Sequence, residues 1–161
     1  YTQDHILWGY LVGRRTKSSW AAVFGSVVPD IPSLIAGGVL YFNGIRSNIL
    51  GRLYEVWWYP FLDTLLHSFI VLLFLYTILS HPYSGRIFIF GWFVHLVIDL
   101  FTHVTDGIVW FWPLSGMRVQ GFISYWQPEY GSRVFAAVNY TGLALAYLWL
   151  GIHFLCTRKT K

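Results

Sequence analysis

Charge and sulfur are what this chain has least of. Only 11% of its 161 residues are charged, against 56% that are hydrophobic. That is far more apolar than a soluble domain of this size. The single cysteine, Cys156, excludes an internal disulfide and any thiolate metal cluster. No succession of alternating ~10-residue strands is present, which argues against a membrane barrel, and an open sheet cannot satisfy its backbone in lipid. Internal repeats and low-complexity stretches are absent. The start lacks the charged, apolar and small-residue order of a cleavable signal. A chain that opens on Tyr1 rather than Met leaves room for a preceding N-terminal piece. The net charge is +4, but the basic residues are scattered in loops and at segment ends, so nucleic acid is excluded as a partner.

What is present is a set of long apolar runs. Residues 61–80, 86–104 and 133–156 each approach the ~20 residues a helix needs to cross a bilayer. A fourth region, Trp20–Phe42, is long enough but carries Pro29, Pro32 and Gly37-Gly38. The expected fold is all-α: one polytopic integral membrane bundle over 1–161. Residues 1–42 form a helical hairpin with a charged tip at Arg14-Arg15-Thr16-Lys17, broken at Pro29-Asp30-Ile31-Pro32, and three transmembrane helices follow. A discontinuous helix bearing an Asp is a recurring way of building an intramembrane site.

The third run carries the strongest signal. His95, Asp99 and His103 stand four apart. Four residues advance a helix by about 400°, so the three share one face. An Asp at membrane depth costs at least ~2.5 kcal/mol, so such a trio requires compensation. Imidazole and carboxylate together are a ligand set that a divalent metal accepts. Asp63 and His67 repeat the four-residue step, with Ser68 beside them, and His5 and Asp30 complete the inventory. The candidate ligands are therefore His5, Asp30, His67, His95, Asp99 and His103, enough for one zinc or for two metals sharing carboxylates. Asp63 is the candidate general base, its bland alternative being a helix N-cap. Asp106, before Gly107, reads as a turn residue, His81 and His153 as structural, and Asn139 as an interhelical hydrogen-bond donor.

Orientation follows from the basic residues. Arg14, Arg15, Lys17, Arg86, Arg158, Lys159 and Lys161 fall on one side, and Arg46, Arg52, Arg118 and Arg133 on the other. The larger set is expected in the cytoplasm. The polar residues of separate segments then meet in the non-cytoplasmic half. The outer loops, including 113–132, carry Trp57-Trp58-Tyr59-Pro60, Trp110-Phe111-Trp112-Pro113 and Tyr125-Trp126. Such clusters suit a headgroup-level anchor or, alternatively, a rim over the site.

Here the residues carry a resemblance. The run Gly25-Ser26-Val27-Val28-Pro29-Asp30-Ile31-Pro32, then His67-Ser68, then His95-x3-Asp99, ending at Trp112-Pro113-Leu114-Ser115, resembles the bacterial and archaeal membrane-bound metal-dependent hydrolases. That family is similar, more remotely, to zinc-dependent phospholipase C-type domains. The likeness covers roughly Asp4 to Gly116, and it implies metal-ligand roles for His5, Asp30, His67, His95 and Asp99. His103 is not carried over. Many relatives have a His-Arg-Gly element just before the His-Ser pair, where this chain reads Leu62-Asp63-Thr64 and so lacks a basic group.

Two functions are in contention. The first is a zinc-type hydrolase acting on an ester or phosphoester of a lipid or amphiphile. The second is a non-catalytic membrane subunit, its His/Asp cluster structural and its aromatic surface (20% of residues) given to lipids or other subunits. A proton or ion pathway ranks last, because the cytoplasmic half is nearly devoid of polar groups apart from His153.

Overall fold

The structure, a computed structural model, describes residues 2–158, with side chains from Thr2 to Ile152. Lys159 and Lys161, and the side chains of His153, Cys156 and Arg158, lie outside the described residues. Within them the chain is helical, and its one β-pairing is an isolated bridge between Ile108 and Val119.

The hairpin forms from α1 (Thr2–Gly13) and α2 (Ser19–Val27). Its tip is held by Thr16, whose hydroxyl donates to the Gly13 carbonyl at 2.7 Å. After α2 the α-helix gives way at the place the prolines mark, and the break is slight. A single 3-10 turn, Val28–Asp30, leads straight into α3 (Ile31–Phe42). Pro29 and Pro32 each fall in the first turn of the segment they begin. An N–H there has no partner within its own segment to lose, so the ring costs little.

The opposite happens in the run expected as one helix over 61–80. It divides into α4 (Tyr59–Leu66) and α5 (Phe69–Leu79), bent by 65°. Ser68 takes an extended backbone (φ −83°, ψ 126°), and its Oγ accepts from the Val71 N–H, capping α5. The break is held from outside. The Trp110 carbonyl accepts from Phe69 N–H at 2.9 Å, and the Trp112 carbonyl accepts from the Ser68 hydroxyl at 2.5 Å.

Helix α6 (Tyr83–Thr102) is the central element and packs most extensively on α2, then on α5 and α1. Two glycines allow the α2–α6 approach. A Cβ at Gly25 would run into the Phe88 carbonyl, and one at Gly91 into that of Ala22. Leu72, Ile89, Trp92 and Leu96 form one apolar cluster, and Ala36, Leu40, Leu53, Val56 and Tyr59 a second. The last helix, α7 (Ser132–Arg158), is tied to the hairpin by Asn139, which donates to Asp4 at 2.9 Å, and by Trp149, whose ring lies 4.4 Å from the Arg14 guanidinium.

Among the described residues, three helical stretches are long and apolar enough to cross a membrane: Ser19–Phe42, Tyr83–Thr102 and Ser132–Ile152. The bent α4–α5 pair makes a fourth if counted as one span.

Candidate metal centre

The apolar surroundings raise the stakes for every polar side chain brought inside. His95 is fully buried, Asp99 is 1% exposed and His5 2% exposed. Charges so deep must be paired, protonated or bound to a metal.

Helix α6 supplies His95 and Asp99 from successive turns, with His95 Nε2 2.9 Å from Asp99 Oδ2. The α4–α5 break supplies His67, whose Nε2 lies 3.3 Å from His95 Nε2 and 3.4 Å from Asp99 Oδ2. Helix α1 supplies His5, stacked on His95 with ring centroids 3.7 Å apart and Nε2 3.3 Å from Asp99 Oδ1. Asp30 enters from the 3-10 turn between α2 and α3. Ligand atoms of His5, Asp30 and His95 lie within 4.8 Å of one another, as do those of His67, His95 and Asp99. Five expected ligands from four parts of the chain thus converge.

The protonation of two rings follows from their neighbours. His95 Nδ1 faces the Ser26 carbonyl at 2.7 Å, and His67 Nδ1 faces the Asp63 carbonyl at 2.8 Å. A carbonyl oxygen only accepts, so each Nδ1 carries a proton and Nε2 is the nitrogen each ring turns towards the cluster. His67 Nε2, His95 Nε2 and Asp99 Oδ2 are then three ligand-type atoms in mutual contact. One proton can join only two of these atoms; a metal ion joins all three. The donor set therefore fits a cation.

His103 takes a different position. Its Nδ1 pairs with Asp106 Oδ2 at 2.7 Å, and its Nε2 accepts from the Tyr125 hydroxyl at 2.8 Å. Its Nε2 is 3.7 Å from Asp99 Oδ1, the longest of the four histidine approaches to that carboxylate. Both ring nitrogens are engaged, and the result is a His–Asp dyad on the cavity wall. Asp106, expected as a turn residue, is its carboxylate. The i,i+3 step from His103 was the available signal. Tyr125, from a distant loop, had none.

Asp63 is not a helix cap. It lies within α4, where the hydroxyls of Tyr54 and Tyr59 donate to its two oxygens at 3.1 Å each. Its Oδ1 is also 3.3 Å from His67 Nδ1. Partial burial and the adjacent Asp63 charge push the Tyr54 phenol up to about 12, while Arg118 acts the other way. The phenol therefore stays a donor throughout the physiological range.

A cavity of about 640 Å³ opens onto the cluster. His5, Asp30, His67 and His103 line it, while His95 and Asp99 lie beneath them. Asp63, Tyr54, Tyr125 and Trp126 form other parts of its wall, so this aromatic pair lines the cavity. Arg118 is the one cation on the lining among the described residues. It donates to the Gly107 carbonyl at 2.8 Å.

No family model, curated protein or solved structure matches the chain. Function therefore rests on the site.

Proposed function

We propose that the chain is a polytopic integral membrane protein, a zinc-type hydrolase that cleaves an ester or phosphoester of a lipid or amphiphile. This is the activity implied by its resemblance to the membrane-bound metal-dependent hydrolases. One observation carries the reading: the close triple of His67 Nε2, His95 Nε2 and Asp99 Oδ2. Two nitrogens in a tetrahedral zinc site stand about 3.3–3.4 Å apart, given Zn–N bonds of ~2.0–2.1 Å. The two histidine nitrogens here are separated by 3.3 Å.

When bound, a divalent cation lowers the pKa of water towards ~7 and polarises the scissile group. The remaining roles fall to this chain's own residues. His67, His95 and Asp99 hold the ion, with His5 and Asp30 beside them. The Asp63 carboxylate faces the cavity, orients His67 through Nδ1 and accepts the proton of the attacking water. His103, its Nδ1 held by Asp106 and its Nε2 by the Tyr125 hydroxyl, lines the wall beside them. Arg118 attracts an anionic group, which favours the phosphoester, and Leu50, Leu53, Ile108 and Val109 offer apolar wall for an acyl portion. The bias of Lys and Arg supports a non-cytoplasmic position for this cavity.

The test combines metal analysis with turnover. Protein purified in detergent is assayed for bound metal and for release of p-nitrophenol from a phosphodiester and a carboxylic ester in mixed micelles. Wild type retains metal and turns over; the double variant His95→Ala with Asp99→Ala loses both. A metal-free, normally stable wild type would sink the reading.

A second reading, a non-catalytic subunit of a larger membrane complex, draws on α7. None of its most apolar stretch, within Ser132–Ile152, is buried inside the chain. Recovery in a stoichiometric assembly that lacks hydrolysis would favour it.

A further inference from the structure

A second hollow, of about 420 Å³, runs between α5 and α6. Leu72, Leu73 and Tyr76 line it from one helix, and Ile89, Phe90 and Phe93 from the other. Phe69 and Phe93 close one end with ring centroids 6.2 Å apart, and Phe69 is also stacked on Trp110. Arg86 marks the other end, two turns back along α6 and so about 10 Å away. Leu73, Tyr76 and Phe90 are about half exposed, so the hollow is open to the surroundings of the bundle. Any apolar helix face suits lipid tails in general. A hollow with a cation at one mouth suits a particular lipid.

That cation has no counter-charge in the chain. Among the described residues the Arg86 guanidinium meets no carboxylate, and it sits 5.9 Å from the Tyr83 ring centroid. The acidic residues belong to the other cavity. Asp30, Asp63, Asp99 and Asp106 are in the candidate metal centre or its walls, and Asp4, Glu55 and Glu129 stand within three positions of the lining residues His5, Tyr54 and Trp126. Helix α2 runs alongside α6 in the same direction, with Ala22 at Gly91 and Ser26 at His95. The hairpin tip with Arg14, Arg15 and Lys17 therefore shares the end of the bundle at which Arg86 lies. The first turn of α6, which has no side-chain cap, adds the positive end of its helix dipole.

We propose that this hollow binds one anionic phospholipid, with an acyl chain laid between α5 and α6 and the phosphate on Arg86. The inference rests on the integral-membrane part of the reading above and is independent of hydrolysis. A guanidinium takes a phosphate through parallel N–H donors, and the acyl chain covers the apolar walls. Another membrane helix is a poorer occupant, because its apolar side chains leave the charge of Arg86 unpaired. The buried end of the acyl chain packs on Phe69, next to Ser68 at the α4–α5 bend, so an occupied hollow also supports the element that presents His67.

The experiment counts lipids. Protein in detergent, stripped of co-purified lipid, is titrated with dioleoylphosphatidylglycerol or dioleoylphosphatidylcholine, and bound lipid per chain is read by native mass spectrometry. Wild type holds one phosphatidylglycerol roughly fivefold more tightly than phosphatidylcholine, the selectivity that one cation supplies beside an anionic headgroup. Arg86→Gln abolishes the preference, and Leu73→Trp, which fills the hollow, weakens binding of both lipids. Lys17→Gln, at the same end but outside the hollow, keeps the preference. Equal losses in Lys17→Gln and Arg86→Gln would overturn the site in favour of diffuse surface attraction. Equal affinity of wild type for the two lipids would overturn it too, as would a dimer that excludes lipid and is broken by Leu73→Trp. Each of these outcomes leaves the membrane and hydrolase readings standing, whereas a chain that is monodisperse in water without detergent overturns the membrane reading along with the site.

Discussion

His67 Nε2 and His95 Nε2 face each other at 3.3 Å, each ring having committed its Nδ1 proton to a main-chain carbonyl. The contact joins the α4–α5 break to the centre of α6, and through the Ser26 carbonyl it reaches α2. Whatever occupies the space between the two nitrogens therefore also ties these elements together.

Metal should stabilise the fold measurably. An ion that binds only the folded chain adds about 2.7 kcal/mol when present at ~100 times its Kd. Thermal unfolding in detergent is expected to show Tm falling with chelator and recovering with zinc. The His95→Ala, Asp99→Ala double variant should show neither change.

Ser68 holds the bend, and its loss should be felt at His67. Removing the cap from α5 costs about 1 kcal/mol, and the hydroxyl also binds the Trp110–Trp112 loop. Ser68→Ala is expected to lower Tm and to weaken metal retention in dialysis, although Ser68 is not itself a ligand.

The close approach of α2 and α6 sets the distance between Asp30 and His95. A side chain at Gly91 meets the Ala22 carbonyl, which cannot move without the helix. Gly91→Val should cost about 1–3 kcal/mol by overpacking. The control is Gly38→Ala on α3, where an added Cβ meets nothing within 4 Å. It should leave stability unchanged or raise it by up to ~1 kcal/mol, because Ala favours helix more than Gly does.

Asp63 and Arg118 should separate in kinetics. Asp63→Asn removes the proton acceptor and should lower kcat by about 10²–10⁴-fold, with the metal content kept. Arg118→Ala should raise KM for an anionic phosphodiester and leave KM for a neutral ester unchanged. Equal effects on both substrates would remove Arg118 from substrate recognition.

Much of this arrangement could be read from residue order. The four-residue steps of His95, Asp99 and His103 put them on one face of a helix that does run through all but the last of them. The basic turn after Gly13 marked the hairpin, and Asn139 bonds across to Asp4 as its type and place suggested. Two local readings met different outcomes. Pro29 and Pro32 weigh heavily as breakers in isolation, yet each occupies a first turn, where proline is tolerated. The run from Phe61 to Ser80 reads as unbroken helix, yet the carbonyls that break it at Ser68 arrive from residues 42 and 44 positions further along.

Side-chain chemistry and period were set by the order of residues alone: which groups ionise, which share a helical face, and that an apolar chain must compensate them. Pairing was decided only in three dimensions. Whether an Asp99 oxygen meets His5 or His67, and whether His103 turns towards that carboxylate or towards Asp106 and Tyr125, depends on ångström-scale approach between helices. That approach comes from glycine contacts and loop carbonyls distant in sequence, which no spacing along one helix encodes.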